Sequence, residues 1–307
     1  MGRQHIGTLW YFRSRAPRLA VSGFVLLALW PLLAFAEQAA LPYAQGVLFR
    51  VERQGIPPSH LFGTIHAEDQ RVLDLPAEVE AAFTGSQQFV MEVVMDAATL
   101  AESAKLLVFA DGRTLEGEVG TERYQRARAS LGERGYPESM LRFLKPWAAA
   151  TLLSTPPAKS GRFLDLALYQ RAVERGLPVK GLESIAEQLG IFDGLTRDEQ
   201  LVVLDEALDN QAEMPVIYRR LLDAYLQRDL AGLVAISEEY LDQEDQSLAA
   251  KISRIVIDDR NRHMAERLAP LIDAGGAFVA VGALHLPGNA GVLRLLEERG
   301  YRITRVY

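Results

Sequence analysis

Two of the five histidines stand in the same four-residue pattern, Gly-x-x-His, far apart in the chain. The first pattern runs from Gly63 to His66 and the second from Gly282 to His285, and each directly follows an apolar segment. An imidazole at the end of a strand is held by a rigid element and still reaches a ligand, and the glycine permits close backbone approach. A single such pattern is more typical of a half-buried structural histidine. Two copies indicate a metal-binding or catalytic pair.

Two charged residues stand where a partner is required. Glu92 interrupts an apolar strand predicted over residues 88–94, and a buried carboxylate without a partner is strongly unfavourable. Arg260 occupies the middle of the apolar face of a helix predicted from Leu248 to Ile272. We expect it to pair with Glu92 or with a substrate carbonyl or carboxylate. The alternatives are an edge position facing solvent for Glu92 and an arginine at the margin of the core for Arg260.

Two further residues are weaker candidates. His263 falls on the same predicted helix face as Arg260 and would support it. Glu183 follows a short strand predicted over Leu177 to Leu182. It is either a metal ligand or general base, or an acidic residue near the start of the helix at 184.

The metal that such a set would bind follows from its ligand types. The sequence contains no cysteine, so a metal must be held by His, Asp and Glu, and both disulfides and a thiol nucleophile are excluded. Two histidines with one or two carboxylates make a reasonable site for Zn²⁺, Mn²⁺, Co²⁺ or Fe²⁺.

The elements that must position these residues alternate between strands and helices. A hairpin is predicted from Val47–Val51 and Ser59–Thr64, and a buried strand from Ala277 to Val281. Helices are predicted over Pro76–Phe83, Phe163–Arg175 and Ala290–Arg299, with a last strand over Tyr301–Val306. The sequence therefore predicts a mixed α/β domain with a central β-sheet and a helical insertion at about 97–250.

The two Gly-x-x-His segments are each followed by a helix and a strand. This repetition predicts two pseudo-duplicated strand–GxxH–helix–strand units, one near each end of the domain. Such an arrangement would bring both histidines to the same edge of the sheet, where ligands of α/β proteins tend to bind.

The N-terminal 36 residues resemble a secretory signal peptide. They carry four arginines and no acidic residue, then an apolar run, and end in Ala34-Phe35-Ala36. We expect cleavage after Ala36 and an exported, periplasmic or secreted domain spanning residues 37–307. The alternative is an uncleaved membrane anchor, which would be the chain's sole membrane contact.

Composition and missing motifs exclude several classes. The formal net charge is −7, which argues against a nucleic-acid partner. The sequence has no H-E-x-x-H, no G-x-S-x-G, no phosphate-binding G-x-x-x-x-G-K-[ST] and no G-x-G-x-x-G. A serine hydrolase, a kinase or a dinucleotide enzyme is therefore not expected.

These segments resemble the TraB/GumN (PrgY) family, which is related to Tiki-type metalloproteases and more distantly to erythromycin esterase and ChaN-like proteins. The matching segments are Leu61–His66, Phe89–Glu92, Lys145-Pro146-Trp147, Gly181-Leu182-Glu183 with Gln188, Asp259-Arg260-Asn261, and Phe278–Asn289. One departure is the segment 161–164 before Asp165, which lacks the glycine-and-isoleucine form of the family.

The resemblance implies a metal-dependent hydrolase, most directly a peptidase acting on peptides or proteins, with Mn, Co or Zn as cofactor. His66 and His285 would be metal ligands, Glu92 the acidic partner and Arg260 an active-site cation, with Asn261 as a lesser candidate. Glu92 or Glu183 would act as general base, and Arg260 would stabilise the oxyanion.

Two other functions stay open. The same cleft would serve a non-catalytic module that binds a peptide, haem or a metal, and the PrgY branch is associated with interference in peptide pheromone signalling. A metal-independent esterase, in which His66 activates water, is the third hypothesis.

Overall fold

A single six-stranded sheet forms the centre of the protein in the computed structural model, which describes residues 41–157, 160–241 and 246–307. The strand order is β4-β3-β5-β2-β1-β6. The strands are β1 Leu48–Glu52, β2 Ser59–Thr64, β3 Gln88–Met91, β4 Val179–Gly181, β5 Ala277–Gly282 and β6 Arg302–Arg305. Strands β2 to β5 are parallel, whereas β1 is antiparallel to both β2 and β6. The mixed α/β class with a mixed central sheet is confirmed; the segment 1–36 lies outside the described residues.

Most helices connect β3 to β4 and β4 to β5. Before β4 lie α1 Gln70–Leu73, α2 Ala77–Thr84, α3 Ala97–Leu106, α4 Leu115–Val119, α5 Thr121–Glu133, α6 Glu138–Leu141, α7 Pro146–Ser154 and α8 Leu164–Glu174. After β4 lie α9 Ile185–Asp193, α10 Arg197–Asp209, α11 Met214–Leu226, α12 Leu230–Leu241, α13 Gln246–Ser253, α14 Asp259–Asp273 and α15 Val292–Glu298. Among the described residues, no helix has the length and apolarity needed to cross a membrane.

The apolar residues of strand β5 are buried, as its sequence predicts. Its five apolar residues from Ala277 to Val281 are all buried, and it has a parallel neighbour on each side. The helix before it ends ahead of Gly275 and Gly276, whose φ angles of 81° and 63° lie in the left-handed region that glycine adopts readily. Both edges of the strand are therefore fixed by backbone pairing, which makes its carboxyl end a rigid platform.

The apolar core is divided between the sheet and the helical insertion. Phe89 and Phe278 pack with their neighbours on the sheet. A separate cluster around Trp147 and Leu204 lies among helices α4, α5, α7 and α10. The long helical segment after β3 therefore carries a core of its own beside the sheet that holds the candidate residues.

Two element boundaries differ from the predictions and affect the site. Strand β3 ends at Met91, so the prediction that Glu92 lies inside the strand is wrong: the Glu92 carbonyl accepts hydrogen bonds from the amides of Leu182 and Glu183 as the chain leaves the sheet. The single helix predicted from Leu248 is two helices, α13 and α14, joined by a π-helical turn over Arg254–Asp258. Periodicity did not reveal this turn because the i+4 row that includes Ile252, Val256 and Met264 continues through it without interruption.

Duplication of the two Gly-x-x-His units is not shown. Strand β2 leads through α1 and α2 to β3, which lies beyond β5 on one side. Strand β5 leads through a 3₁₀ turn and α15 to β6, which lies beyond β2 and β1 on the other side. The two units resemble each other in element order and differ in their place in the sheet.

Candidate active site

The carboxyl ends of three neighbouring parallel strands carry the candidate residues. In the register of β2 and β5, Thr64 is paired with Gly282, and Met91 at the end of β3 is paired with Ala280 of β5. His66, Glu92 and His285 follow these ends by one to three residues. Both Gly-x-x-His segments therefore leave the sheet at the same edge, as the sequence predicted.

His285 is buried and its ring is held by a defined partner. The side chain of Asn261 donates from Nδ2 to the carbonyl of Ala290 at 2.9 Å, so its Oδ1 faces the His285 Nδ1 at 2.7 Å as an acceptor. The Nδ1 of His285 must then carry the proton, so Nε2 is unprotonated and its lone pair accepts from Arg260 Nη1 at 3.3 Å. Burial, with the nearby Arg260, lowers the pKa of His285 to about 4, although Glu92 acts in the opposite direction. The ring is therefore neutral at neutral pH, and its Nε2 can accept a hydrogen bond or ligate a metal ion.

Glu92 is the centre of the cluster. Its Oε1 accepts from the backbone amide of Gly282 at 2.6 Å and lies 3.8 Å from His285 Nε2. Its Oε2 accepts from Arg260 at 2.6 Å and from Gln188 at 3.1 Å. Burial would raise the pKa of Glu92, but the His285 ring, the Arg260 charge and the Gly282 amide outweigh it and hold the pKa below its usual value. The carboxylate is therefore ionised and fixed in orientation.

Arg260 is paired, as expected, with Glu92 and in addition with Glu183. Its Nε lies 3.1 and 3.0 Å from the two Glu183 oxygens, and its Nη2 lies 2.7 Å from Glu183 Oε2 and 2.6 Å from Glu92 Oε2. Its Nη1 donates to the carbonyl of Val256 and lies 3.3 Å from His285 Nε2. A guanidinium has five N–H groups, and this arrangement engages all of them. Arg260 therefore holds the anionic and neutral groups of the cluster in place.

The π-helical turn explains how Arg260 reaches this position. Val256, whose carbonyl accepts from the guanidinium, belongs to that turn, and Arg260 is the second residue of α14. A π turn leaves backbone groups out of the regular i→i−4 ladder and is frequent at functional sites. Both Arg260 and Asn261 are buried side by side as a result, and they hold opposite sides of the His285 ring.

The glycines of the two patterns are required for space. A Cβ on Gly282 would lie 3.3 Å from Glu92 Oε1 and 3.4 Å from the His285 ring. A Cβ on Gly63 would lie 2.7 Å from Leu286 and 3.1 Å from the backbone of Ala283. In both cases the missing side chain lets one chain segment approach another, as the sequence suggested.

His66 has a very different environment. Its side chain is 61% exposed and stacks on Phe163, with ring centroids 3.6 Å apart. Its Nδ1 lies 3.8 Å from Asp165, whose other oxygen accepts from the Thr64 hydroxyl at 2.6 Å. Sequence reasoning missed Asp165 as a site residue; its one signal was its place in the first turn of a helix, directly after the segment 161–164.

One cleft of about 370 Å³ is lined by residues from both halves of the site. The exposed half is His66 with Asp165, and the buried half is the cluster of Glu92, Arg260 and His285. His66, Asp165 and Thr64 line the cleft together with Glu92, Gln188 and Gly282. A second cavity of about 470 Å³ is lined by Glu183, Arg260 and His263. The buried ion cluster therefore contributes Glu92 to the cleft, and Arg260 with Glu183 to the second cavity.

Five of the predicted site residues do not line the cleft, namely His285, Arg260, Asn261, His263 and Glu183. His263 is exposed and lines the second cavity, so the prediction that it shares the apolar face with Arg260 is wrong. Glu183 is not the cap of the following helix, because Ser184 and Glu187 form the capping box there. Its carboxylate is buried against Arg260 instead. Neither side chain is among those that line the cleft of His66.

The donor chemistry of the cluster fits a divalent ion. Ligand atoms about 2.0–2.2 Å from one ion stand at most roughly 4.4 Å apart, and the 3.8 Å between His285 Nε2 and Glu92 Oε1 falls within that limit. Among residues 41–157, 160–241 and 246–307, however, no three His, Asp or Glu side chains are gathered closely enough to enclose an ion. Two ligand atoms thus lie within reach of one ion. An ion bound at His285 Nε2 would have to displace Arg260 Nη1, because the unprotonated imidazole nitrogen has a single lone pair.

The chain belongs to the TraB/PrgY/gumN family, which it matches over residues 47–305. It is also similar to proteins named metalloproteases. The identity is 24% to Metalloprotease TIKI2 of Danio rerio, over 83% of this chain and 60% of the relative. It is 22% to a TIKI homolog of Nematostella vectensis, over 81% and 65%, and 24% to Metalloprotease TIKI1 of Homo sapiens, over 80% and 59%.

These similarities are distant. The chain spans about 60% of the length of the TIKI proteins it matches. No solved structure matches the chain. The relatives named metalloproteases imply a metal, and its identity is not shown by them.

Proposed function

We propose that the protein is an exported, metal-dependent hydrolase that cleaves peptide bonds in peptides or proteins. The observation that carries this proposal is the pair of His285 Nε2 and Glu92 Oε1, a neutral imidazole lone pair and an ionised carboxylate 3.8 Å apart at a strand end beside an open cleft. The distant similarity to TIKI metalloproteases supports it independently.

The proposed ligands are His285, Glu92 and His66. His285 Nε2 and Glu92 Oε1 lie 3.8 Å apart, whereas His66 is exposed on the cleft that Glu92 also lines and would join them when an ion is bound. A bound Mn, Co or Zn ion would lower the pKa of its water towards about 7 and polarise a carbonyl.

The other residues of the cluster position these ligands. Asn261 fixes the proton of His285 on Nδ1. Arg260 keeps Glu92 ionised and oriented, and we assign it this positioning role in place of an oxyanion stabiliser because its five N–H groups are engaged. Glu183 neutralises Arg260 from the side of the second cavity, so it is a structural anion in this proposal and not the general base.

The test is metal analysis combined with peptide hydrolysis. Purified protein is assayed with Mn, Co or Zn against a peptide mixture whose products are identified by mass spectrometry. We expect bound metal and metal-stimulated hydrolysis, both lost in His285→Ala and retained in His263→Ala, a histidine that the structure places outside the cleft. Absence of metal binding together with absence of hydrolysis would reject the proposal, and intact peptide recovered in complex with the protein would favour a binding module.

A second candidate function rests on the contact between His66 and Asp165. A carboxylate 3.8 Å from Nδ1 favours the tautomer in which Nε2 accepts a proton, the arrangement of a general base without a metal. This would make the protein a metal-independent esterase. Hydrolysis that persists after exhaustive chelation and is abolished by His66→Ala would support it against the metallohydrolase.

Export is part of the proposal and is supported by the composition of residues 1–36. We expect the mature protein isolated from its native host to begin at Glu37. Edman sequencing or intact mass measurement decides this, and a full-length N-terminus in the membrane fraction would show an uncleaved anchor instead.

A further inference from the structure

The lining of the cleft beside the cluster combines polar and apolar side chains. Its polar part includes the candidate residues His66, Glu92 and Asp165. Its apolar part, the apolar wall, consists of Met91, Val93, Met95, Leu100, Phe163 and Ile185. A concave site that combines an apolar lining with a few convergent polar groups is the usual form of a ligand-binding pocket.

Helix α3 contributes Leu100 to the apolar wall. Within it Leu100 is 54% exposed, the highest value among the large apolar side chains exposed in the described part of the chain. Helix α3 has no fully buried residue, so burial of neighbouring side chains on the helix does not offset the exposed apolar surface of Leu100. Leu100 lines the cleft together with Thr99 and Ser103 of the same helix.

The charge of the cleft restricts what it would accept. Its lining contains the carboxylates of Glu92 and Asp165, and within the described residues no Lys or Arg side chain lines it. The charge of Glu92 is balanced by Arg260 from behind. An acidic substituent would therefore meet the Asp165 carboxylate, with no Lys or Arg among the described lining residues to attract it, whereas an apolar one would bury its surface against α3 and Phe163.

We infer that the apolar wall is a specificity pocket that receives one apolar side chain of a peptide, next to the bond presented to His66 and Glu92. This inference rests on the proposed function for its catalytic part. The volume of about 370 Å³ lies at the low end for ligand pockets, so it suits one or two side chains of an extended peptide. Leu100, Met95 and Phe163 are the residues that set the preference, and Leu, Met or Phe are the side chains that the pocket accepts.

The experiment uses internally quenched hexapeptides that are identical except for one central residue, which is Leu, Met, Phe, Ser or Asp. Both kcat/KM and Kd are measured for each peptide, the latter by fluorescence titration with metal-free protein. Peptides with Leu, Met or Phe should bind about tenfold or more tightly than the Ser peptide, and the Asp peptide should bind most weakly.

Two variants separate the pocket from general surface hydrophobicity. Leu100→Glu should remove the preference for apolar peptides, whereas Val173→Glu, at a valine that is 52% exposed and does not line the cleft, should keep it. If no peptide is hydrolysed, the proposed function fails while the order of Kd values still supports or rejects the pocket.

Three results would overturn the inference. They are equal Kd values across the series, an apolar preference unchanged in Leu100→Glu, and an equal loss in Val173→Glu. A wild-type dimer that Leu100→Glu converts to a monomer, without peptide preference, would show that the wall is an interface between two copies.

Discussion

The two Gly-x-x-His turns have the same pattern and opposite environments. Both leave adjacent parallel strands at the same edge of the sheet. His285 is 6% exposed in its side chain and is held by Asn261 and Arg260, whereas His66 is 61% exposed and contacts Phe163 and Asp165. The difference arises from what packs over each strand end: the start of α14 covers β5, and an open cleft lies beside β2.

This contrast separates two requirements of a metal-dependent site. The buried half provides a rigid, neutral imidazole beside an ionised carboxylate. The exposed half provides a second imidazole that remains reachable from solvent. Perturbations of the buried half should therefore affect both stability and activity, and those of the exposed half should affect activity alone.

The largest effect is expected from removing the cation of the buried half. Arg260→Met leaves Glu92 and Glu183 facing each other without their shared partner, and loss of one member of a buried ion cluster costs about 3–5 kcal/mol. Arg262→Met is the matched control, since that arginine is exposed on the same helix and its ion pair with Asp259 is worth about 0–1 kcal/mol. Urea denaturation measures both, and equal losses would contradict the assignment.

The next effect concerns acid stability of the metal-free protein. The folded pKa of His285 is about 4 and an unfolded histidine titrates near 6.5, so the unfolded chain binds the additional proton between these values. The free energy of unfolding should therefore be fully present above pH 6.5 and fall by about 3 kcal/mol as the pH drops to 4. This slope should be reduced in His285→Ala and unchanged in His66→Ala; the part that remains in His285→Ala comes from His60, whose pKa is also lowered by burial. Denaturation curves at half-unit pH steps measure it, and identical slopes in both variants would refute the role of burial.

A smaller effect separates the two histidines at neutral pH. His285→Ala leaves the buried Asn261 Oδ1 without its donor and should lower the free energy of unfolding by about 2 kcal/mol. His66→Ala changes an exposed side chain and should alter it by less than about 0.5 kcal/mol. Both variants should lose hydrolysis. Thermal unfolding in chelator, paired with activity assays, tests whether the two histidines differ in stability while both are needed for activity. Equal destabilisation by the two changes would contradict the difference between the two histidines.

The smallest effect is expected at Asp165, which acts through His66. Asp165→Asn should lower kcat/KM about 10–100-fold and shift its pH profile, with Thr64 still able to hydrogen bond to the amide oxygen. A structural role would change stability without moving the pH profile. An unchanged profile with a lowered melting temperature would therefore reject the positioning role.

More of the sheet than of the site could be predicted from the sequence. The apolar run of β5, the hairpin of β1 and β2, and the carboxyl-end location of both histidines all follow from local pattern. The pairing of Arg260 followed from its place on an apolar helix face, because a buried guanidinium requires an anion.

The burial of each histidine could not be predicted in the same way. It depends on which helix covers the strand end, and the π turn before Arg260 has no signature in apolar periodicity. His263 was misplaced because the buried face of α14 includes Asn261 and Ala265 beside Arg260 and Met264, and this face turns away from His263. Asp165 was missed because its contact with His66 joins segments 99 residues apart, and only the fold brings them together.

The central claim is that His285 and Glu92 bind a divalent ion, with His66 as the third ligand. Isothermal titration of chelator-treated protein with Mn, Co and Zn, checked by elemental analysis, tests it most directly. We predict one ion per chain for the wild type, none for His285→Ala or Glu92→Gln, and weaker binding for His66→Ala. Undiminished binding in His285→Ala, or no binding by the wild type to any of the three metals, would contradict the account.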